Sequence, residues 1–186
     1  MMKKRIAGYF VPLVLILSAL ACSTATPVPT VEPPVDTPTA GPGAIFGVLW
    51  HDICKFTGGE GGEPVVLGKG CVQYGPGAGE FGPNQMFDDY EEGWVGVTLH
   101  LGGGACPSAS IATSVTDADG NYRFDGLAAG TYCVWYDPLA DGNVAVLIPG
   151  GPTYPERGED GATQTVELAP GEEKAVNFGW AWQFFN

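Results

Sequence analysis

Residues 116–137, TDADGNYRFDGLAAGTYCVWYD, decide the fold of this chain. Two segments within them, 121–125 and 131–137, carry aromatic or β-branched residues at every second position, which is the period of a strand with one buried face. Asp119 and Gly120 favour a tight turn before the first segment, and a short glycine-containing connection separates the two segments. The pattern predicts a β-meander with these side chains inward: Tyr122, Phe124, Leu127, Tyr132, Val134 and Tyr136.

Other alternating segments are expected to complete the sheets. The candidate strands are residues 44–50, 94–101, 111–117, 144–148, 163–169 and 174–183. The expected core residues are Val95, Val97, Leu99, Leu101, Val166, Leu168, Val176, Phe178, Trp180 and Trp182, with Trp94, Thr98 and His100 facing outward. No helical period persists over ten residues beyond the N-terminal segment, so the sequence predicts an all-β fold. About seven strands joined by Gly/Pro turns are typical of a Greek-key β-sandwich of the immunoglobulin-like or prealbumin-like kind.

The N-terminal residues have the pattern of an export signal, in which three basic residues precede an apolar run. The run ends in Leu-Ala-Cys at Cys22, which resembles the bacterial lipobox. The resemblance implies that residues 1–21 are removed and that acylated Cys22 anchors the chain in the lipid bilayer, on the outer face of a bacterial membrane. An ordinary signal peptide with a chance cysteine is the alternative.

A Pro/Thr-rich segment, residues 22–43, follows the signal. Its proline spacing leaves no room for a periodic element, so it is expected to be a disordered, extended tether. The tether would hold the folded domain, residues 44–186, away from the lipid surface.

The chain is strongly acidic, with 21 acidic and 8 basic residues and a net charge of −13. Three of the basic residues lie in the predicted signal peptide, so its removal makes the chain more acidic still. Such a field repels nucleic acid and attracts divalent cations. We therefore expect no nucleic-acid partner.

Four cysteines remain once Cys22 is assigned to lipid, and an even number in an exported chain indicates disulfides. Three connectivities are possible, and sequential pairing is favoured because the first two cysteines bracket a Gly-rich insertion at residues 53–86. An irregular segment of this length is usually functional or cross-linked. No Cys-x-x-Cys spacing suggests a metal site. The favoured pairs are Cys54 with Cys71 and Cys106 with Cys133.

Several motifs resemble those of one family of surface domains. The central stretch reads Thr-Asp-x-x-Gly-x-Tyr-x-Phe-x-x-Leu-x-x-Gly-x-Tyr-x-Val over residues 116–134. Trp-His-Asp at 50–52 and Asp-x-x-Glu-x-Gly at 88–93 resemble the flanking motifs of that family. Across residues 44–182 the chain is similar to the B-type repeat domains of serine-aspartate-repeat surface proteins, and to the related collagen-adhesin B-type and carboxypeptidase-regulatory-like modules.

The resemblance implies a calcium site, because that family joins the two flanking motifs by a short, EF-hand-like loop rich in Asp and Asn. Calcium takes six to eight oxygen ligands. The implied ligands here are Asp52, Asp88 and Glu91, with Asp89 as a further one. In this chain a Gly-rich insertion replaces the compact loop, so the ends of the implied site are present and its middle is missing. A disulfide within the insertion is expected to order the loop instead.

Catalytic patterns are weak. The only histidines, His51 and His100, have no evident nucleophile and orienting group, so a triad is not predicted. Asp117-x-Asp119-x-Asn121 mimics the start of an EF-hand loop but is better explained as turn chemistry. We therefore expect no enzyme but a structural or adhesive module whose partner is a surface glycan or protein. The alternative is a carbohydrate-binding module with exposed aromatic residues, and a hydrolase is the least favoured.

Overall fold

The described residues form an all-β domain. The structure, a computed structural model, describes residues 41–76, 80–158 and 162–182. The predicted signal peptide, the acylation site Cys22 and the tether up to residue 40 lie outside these ranges. No helix within them is both long and apolar enough to cross a membrane.

The first sheet is built around strand β1 (Gly43–His51). One neighbour of β1 is the antiparallel strand β8 (Asn121–Leu127). The other is a broken parallel strand, which consists of β12 (Glu173–Ala175) and β13 (Phe178–Trp182). Strand β10 (Gly150–Tyr154) pairs antiparallel with β13 and completes this five-stranded sheet.

The second sheet has four antiparallel strands. Their order across the sheet is β11 (Thr163–Leu168), β9 (Gly130–Trp135), β6 (Thr98–Gly103) and β7 (Ser110–Val115). The sandwich formed by the described residues therefore has nine strands rather than about seven, because the last predicted strand is split and β10 was not among the predicted strands.

One hydrophobic core fills the space between the sheets. It confirms the inward positions predicted for residues 121–137, with Leu127 and Tyr132 packed partly buried against it. The buried members are Ile45, Leu49, Trp94, Val97, Leu99, Leu101, Tyr122, Phe124, Val134, Tyr136, Leu147, Ala162, Val166, Leu168, Val176, Phe178 and Trp180.

The insertion at residues 53–86 is more regular than its sequence suggests. Strands β2 (Phe56–Thr57) and β3 (Val66–Leu67) form one small hairpin, and β4 (Cys71–Gln73) and β5 (Phe81–Pro83) form another. The disulfide between Cys54 and Cys71 joins residues close to both hairpins. A second disulfide joins Cys106, in the β6–β7 loop, to Cys133 in β9. Both pairs are those favoured from the sequence.

The predicted β-meander is wrong, although its two strands exist. β8 pairs with β1 in the first sheet, whereas β9 pairs with β6 and β11 in the second. The connection after Gly126, which has a φ of 75°, therefore crosses between the sheets. The alternation identifies a buried face, but both sheets offer one, so it does not specify the strand's partner.

The segment before β6 also departs from its predicted alternation. Gly96 has a φ of 79°, which is outside the range of an extended strand. The turn there leaves Val95 56% exposed and directs Trp94 into the core, the reverse of the expected faces.

Residues 144–148 are not an edge strand. They contain a short helix, α1 (Val144–Leu147), and strand β10 follows it. The buried Asn143 side chain accepts a hydrogen bond from Thr98 N and donates to the carbonyl oxygens of Thr98 and Asp137. The Asn143 side chain, rather than the backbone of an edge strand at 144–148, thus forms the hydrogen bonds to the start of β6.

Candidate functional site

Glu91 fixes the base of the insertion. Its Oε1 accepts the backbone N–H of Ile53 at 2.7 Å, and its Oε2 accepts that of Asp88 at 3.0 Å. The Asp88 carbonyl in turn accepts the Glu91 N–H at 3.1 Å. Burial is the largest cause that raises the pKa of this carboxyl, against the two backbone hydrogen bonds. In this chain the Asp-x-x-Glu motif therefore acts as a reciprocal cap that closes the insertion.

Asp52 lies at the end of β1 and is completely buried. Its Oδ2 accepts the backbone N–H of Gln85 at 3.1 Å, and Gln85 Nε2 donates to the Thr153 carbonyl at 2.5 Å. Neither Asp52 Oδ1 nor the Thr153 hydroxyl has a hydrogen-bond partner among the described residues. Burial is the main cause that raises the Asp52 pKa, and the closeness of the Thr153 hydroxyl, the Gln85 hydrogen bond and the charge of Arg157 all oppose it.

The remaining implied calcium ligands are used differently. Asp88 Oδ2 accepts hydrogen bonds from Asn84 Nδ2 at 2.9 Å and from the Tyr90 hydroxyl at 3.1 Å, and Asp89 is exposed. Burial, followed by the bond to Asp88, raises the pKa of Tyr90 to about 12. Within the described ranges, no three His, Cys, Asp or Glu side chains are grouped so that they could hold a metal ion. The observed donor set does not fit a calcium ion held by all four carboxylates, and calcium binding stays a prediction.

The insertion packs against β10 and the segment after it. Arg157 donates to the Pro83 carbonyl, and its guanidinium lies 3.7 Å from the centroid of the Tyr74 ring. The Trp50 ring is buried, with the Phe87 ring 5.7 Å and the Tyr154 ring 5.5 Å from it. The Arg157 contacts with Pro83 and Tyr74 therefore hold the insertion against the segment after β10, and packing on Trp50 holds Phe87, the residue directly after the insertion.

The β2–β3 hairpin exposes apolar side chains to solvent. Phe56, Val66 and Leu67 are all exposed, and the Phe56 ring contacts the Phe81 ring at 4.9 Å. An open groove of about 190 Å³ lies along this hairpin, with Lys55 at its edge. Exposed apolar side chains that adjoin one another make this hairpin a candidate binding surface.

A second aromatic group lies at the end of β13. The Trp182 ring contacts those of Trp94 at 4.7 Å and His51 at 5.3 Å, and its Nε1 donates to the Val146 carbonyl at 3.0 Å. Trp182 is 38% exposed, which corrects the expectation that it belongs to the core, whereas Trp180 is buried. Trp182 still pairs with Gly150 of β10, so its exposure arises within the strand register. Burial lowers the pKa of His51 despite the opposing charge of Glu92.

His100 contacts Ser110, Asp141 and Trp135, which the sequence did not predict. It faces outward as expected, yet it is only 8% exposed, since its ring stacks on Trp135 at 4.0 Å. Its Nε2 lies 2.7 Å from Asp141 Oδ2, and its Nδ1 lies 3.0 Å from Ser110 Oγ. The Ser110 hydroxyl also donates to the Ala112 carbonyl at 3.1 Å. A nucleophilic serine must give its proton to the imidazole, and here a backbone carbonyl competes for that proton.

The Asp-x-Asp-Gly-Asn segment forms a turn, as predicted. Asp117 Oδ1 accepts the backbone N–H groups of Asp119 at 2.9 Å and Asn121 at 2.8 Å. The Asn121 bond is the largest cause that lowers the Asp117 pKa. This carboxylate is therefore a turn cap.

Four further residues matter to these sites and were missed: Gln85, Thr153, Arg157 and Ser110. Gln85 is the only one with a local signal of its own, a φ of 65° that is rare for a residue other than glycine, and that signal exists only in the structure. Gln85 bonds to Thr153, 68 positions away, and Arg157 bonds to Pro83, 74 positions away. No periodic pattern in the sequence relates residues at such separations.

Comparison with known proteins finds solved structures that are similar to this chain at low sequence identity. No family model matches the chain, and no curated protein matches it. It is similar to the minor pilin GBS52 of Streptococcus agalactiae, at 12% identity and a TM-score of 0.41, over 80% of this chain and 48% of that one. The chain thus spans about half the length of that pilin. It is also similar to a suggested carbohydrate-binding protein of Pseudomonas aeruginosa, at 13% identity and a TM-score of 0.32, over 77% of this chain and 92% of that one.

Proposed function

We propose that this chain is an exported, non-catalytic adhesive module with a B-type β-sandwich, anchored on the outer face of a bacterial membrane through acylated Cys22. The observation that carries the proposal is the insertion, which is fixed at its base by Glu91 and displays apolar side chains on the β2–β3 hairpin. Export is supported by two disulfides, because disulfides persist in oxidising compartments.

A prearranged surface binds with a smaller entropy cost than a mobile loop. The Cys54–Cys71 disulfide and the Glu91 hydrogen bonds restrict the insertion before any partner arrives. The exposed residues Phe56 and Val66 would form an apolar contact at the centre of an interface. Lys55 adds positive charge at the edge of this surface in a chain of net charge −13. A protein partner with apolar and acidic side chains fits this surface.

Membership of the B-type family is supported by how its motifs meet. Gly93, from the Asp-x-x-Glu-x-Gly motif, lies against Gly120, from the Asp-Gly turn. A Cβ on Gly120 would lie 2.5 Å from Gly93 Cα and 2.5 Å from the Leu49 carbonyl oxygen. Both motifs therefore need glycine where β1 and the turn approach each other.

The adhesive role is tested with bacteria that export the full chain, measured for retention on mucin-coated glass under flow. Phe56→Ser combined with Val66→Ser is expected to reduce retention. Leu139→Ser, which removes an exposed apolar side chain elsewhere, is expected to leave it unchanged. Equal retention of the double variant and the native chain would contradict the proposal.

The anchor is tested by Cys22→Ala in the same cells. The variant is expected to leave the membrane fraction, because a chain without its acyl groups has lost its lipid contact. Continued membrane association at the native level would refute acylation of Cys22.

A carbohydrate-binding module is the second candidate, and exposed Trp182 favours it. Aromatic rings bind sugars by stacking on them, and the contacts with Trp94 and His51 hold this ring in place. Binding of the full chain to a glycan array that disappears in Trp182→Ala, with the unfolding midpoint unchanged, would promote this candidate. Glycan binding that survives Trp182→Ala would eliminate this site.

A further inference from the structure

Strand β7 is the least covered strand of the sandwich. It lies at an edge of the second sheet, and among the described strands only β6 pairs with it, although the core-side Ser114 Oγ accepts a hydrogen bond from Arg123 N in β8 at 3.3 Å. Five of its six residues are exposed and Ser114 is half-buried, so the strand contributes nothing to the core. Ile111 is 66% exposed and Val115 is 58% exposed. An open edge with β-branched side chains is a template for pairing with another chain.

Two of the usual protections of an edge strand are absent from β7, and a third, a bulge, is confined to its start. Its sequence, Ser-Ile-Ala-Thr-Ser-Val, contains no proline and no charged residue. One register shift occurs opposite Leu101 and Gly102, at the start of the strand. Residues 112–115 pair regularly with β6 beyond this point, so the bulge does not interrupt this part of the outer edge.

The direction of the backbone groups decides which residues a new strand would meet. Thr116 N donates to the Val97 carbonyl at 2.9 Å, so the even-numbered positions of β7 bond towards β6. Thr113 and Val115 therefore present their N–H and C=O groups at the free edge. Antiparallel pairing at that edge would place Thr113 in a hydrogen-bonded pair.

We propose that a second copy of this chain pairs antiparallel through β7, with the two-fold axis at Thr113. Residues 111–115, Ile-Ala-Thr-Ser-Val, are nearly palindromic in size, so the axis places Ile111 opposite Val115 and Ala112 opposite Ser114. A two-fold interface needs such a self-complementary surface. Pairs of β-branched residues stabilise adjacent strands. The pairing joins the two four-stranded sheets into one sheet of eight strands.

Charge favours a second copy at this strand. The chain has a net charge of −13, so two copies repel each other when acidic surfaces meet. β7 carries no charge, which makes it a place where two copies approach at little electrostatic cost.

The proposal is tested by cross-linking of the full chain, exported by a bacterium into an oxidising compartment. At the axis, the two Thr113 Cα atoms would lie about 5.5 Å apart, within the roughly 4.4 to 6.8 Å that a disulfide spans. Thr113→Cys is therefore expected to give a species of twice the monomer mass that reduction removes. Val95→Cys, exposed but outside β7, is the matched control and is expected to remain monomeric.

Adding Ile111→Lys to Thr113→Cys is expected to abolish the cross-link, because it places a charged side chain opposite Val115. Both changes are at exposed positions, and an unchanged unfolding midpoint shows that folding is retained. Failure of Thr113→Cys to dimerise, equal dimerisation of Val95→Cys, or a cross-link from Thr113→Cys to a different protein would each overturn the proposal.

Discussion

Glu91 accepts the backbone N–H of Ile53 at 2.7 Å, and this single hydrogen bond joins two residues 38 positions apart. The same carboxylate caps the turn at Asp88. The Asp-x-x-Glu motif, which the family resemblance would assign to a metal loop, here closes a disulfide-linked insertion. The insertion is thus ordered by the Glu91 carboxylate, which accepts hydrogen bonds from two backbone N–H groups.

Loss of this carboxylate should destabilise the domain. Glu91→Ala leaves two backbone N–H groups without their acceptor, each at a cost of roughly 1 to 3 kcal/mol if they stay buried. We expect the free energy of unfolding, measured in urea, to fall by at least about 2 kcal/mol. The adjacent, exposed Glu92 gives the matched control, Glu92→Ala, which should change it by less than about 0.5 kcal/mol. Equal effects of the two variants would contradict this role.

Asp52 and Glu91 predict stability that falls as the pH rises. Burial is the main cause that raises the pKa of both carboxyls. The folded state then binds protons more readily than the unfolded state, so the stabilisation from protonation is lost as the pH rises through the folded pKa values. Asp52→Asn should reduce the change of the free energy of unfolding with pH, measured by urea unfolding from about pH 4 to pH 8. Asp89→Asn, at an exposed position, should leave this pH dependence unchanged. If Asp52→Asn also leaves it unchanged, the pH dependence does not come from Asp52.

Calcium should have little effect on the unfolding midpoint. The Glu91 oxygens and one oxygen of Asp52 already accept backbone N–H groups, and Asp88 Oδ2 bonds to Asn84 and Tyr90. A bound ion would stabilise the domain in proportion to its occupancy. We therefore expect the same thermal midpoint in excess calcium and in excess chelator. A midpoint that falls with chelator would instead support the calcium site that the family resemblance implies.

Gly120 should not tolerate a side chain. Its φ is 79°, and an added Cβ would lie 2.5 Å from both Gly93 Cα and the Leu49 carbonyl oxygen. We expect Gly120→Ala to lower the free energy of unfolding by roughly 2 kcal/mol or more, through strain and displacement of β1. Gly103→Ala is the control, because no atom lies within 4 Å of the added Cβ. If Gly120→Ala is as stable as Gly103→Ala, the turn can shift away from Gly93 and Leu49, and the prediction is wrong.

The strands were predictable because their signal is local. The alternation of Tyr122 with Phe124 and of Val166 with Leu168 depends on a period of two, which neighbouring residues are enough to define. Short-range turn chemistry likewise predicted the turn that Asp117 caps. The local signal was misleading where one residue changed the backbone direction, as Gly96 did for Trp94 and Val95.

The candidate site was only partly predictable. Asp52, Asp88 and Glu91 were identified by their motifs, but their bonding partners were not, because Gln85 meets Thr153 across 68 positions of the chain. The Ser110–His100–Asp141 contacts are likewise formed only when β6, β7 and the segment before α1 come together.

The sequence by itself determined that the described part of the domain is all-β, which face most of its strands bury, and which cysteine pairs are favoured. The tertiary structure alone decided that β8 pairs with β1 while β9 pairs with β6, because two buried faces of equal polarity are interchangeable until the sheets assemble. It also decided that β7 is left with an open edge and that Asp52 is buried. Exposure and long-range partners depend on every strand that packs nearby, and no local pattern contains that information.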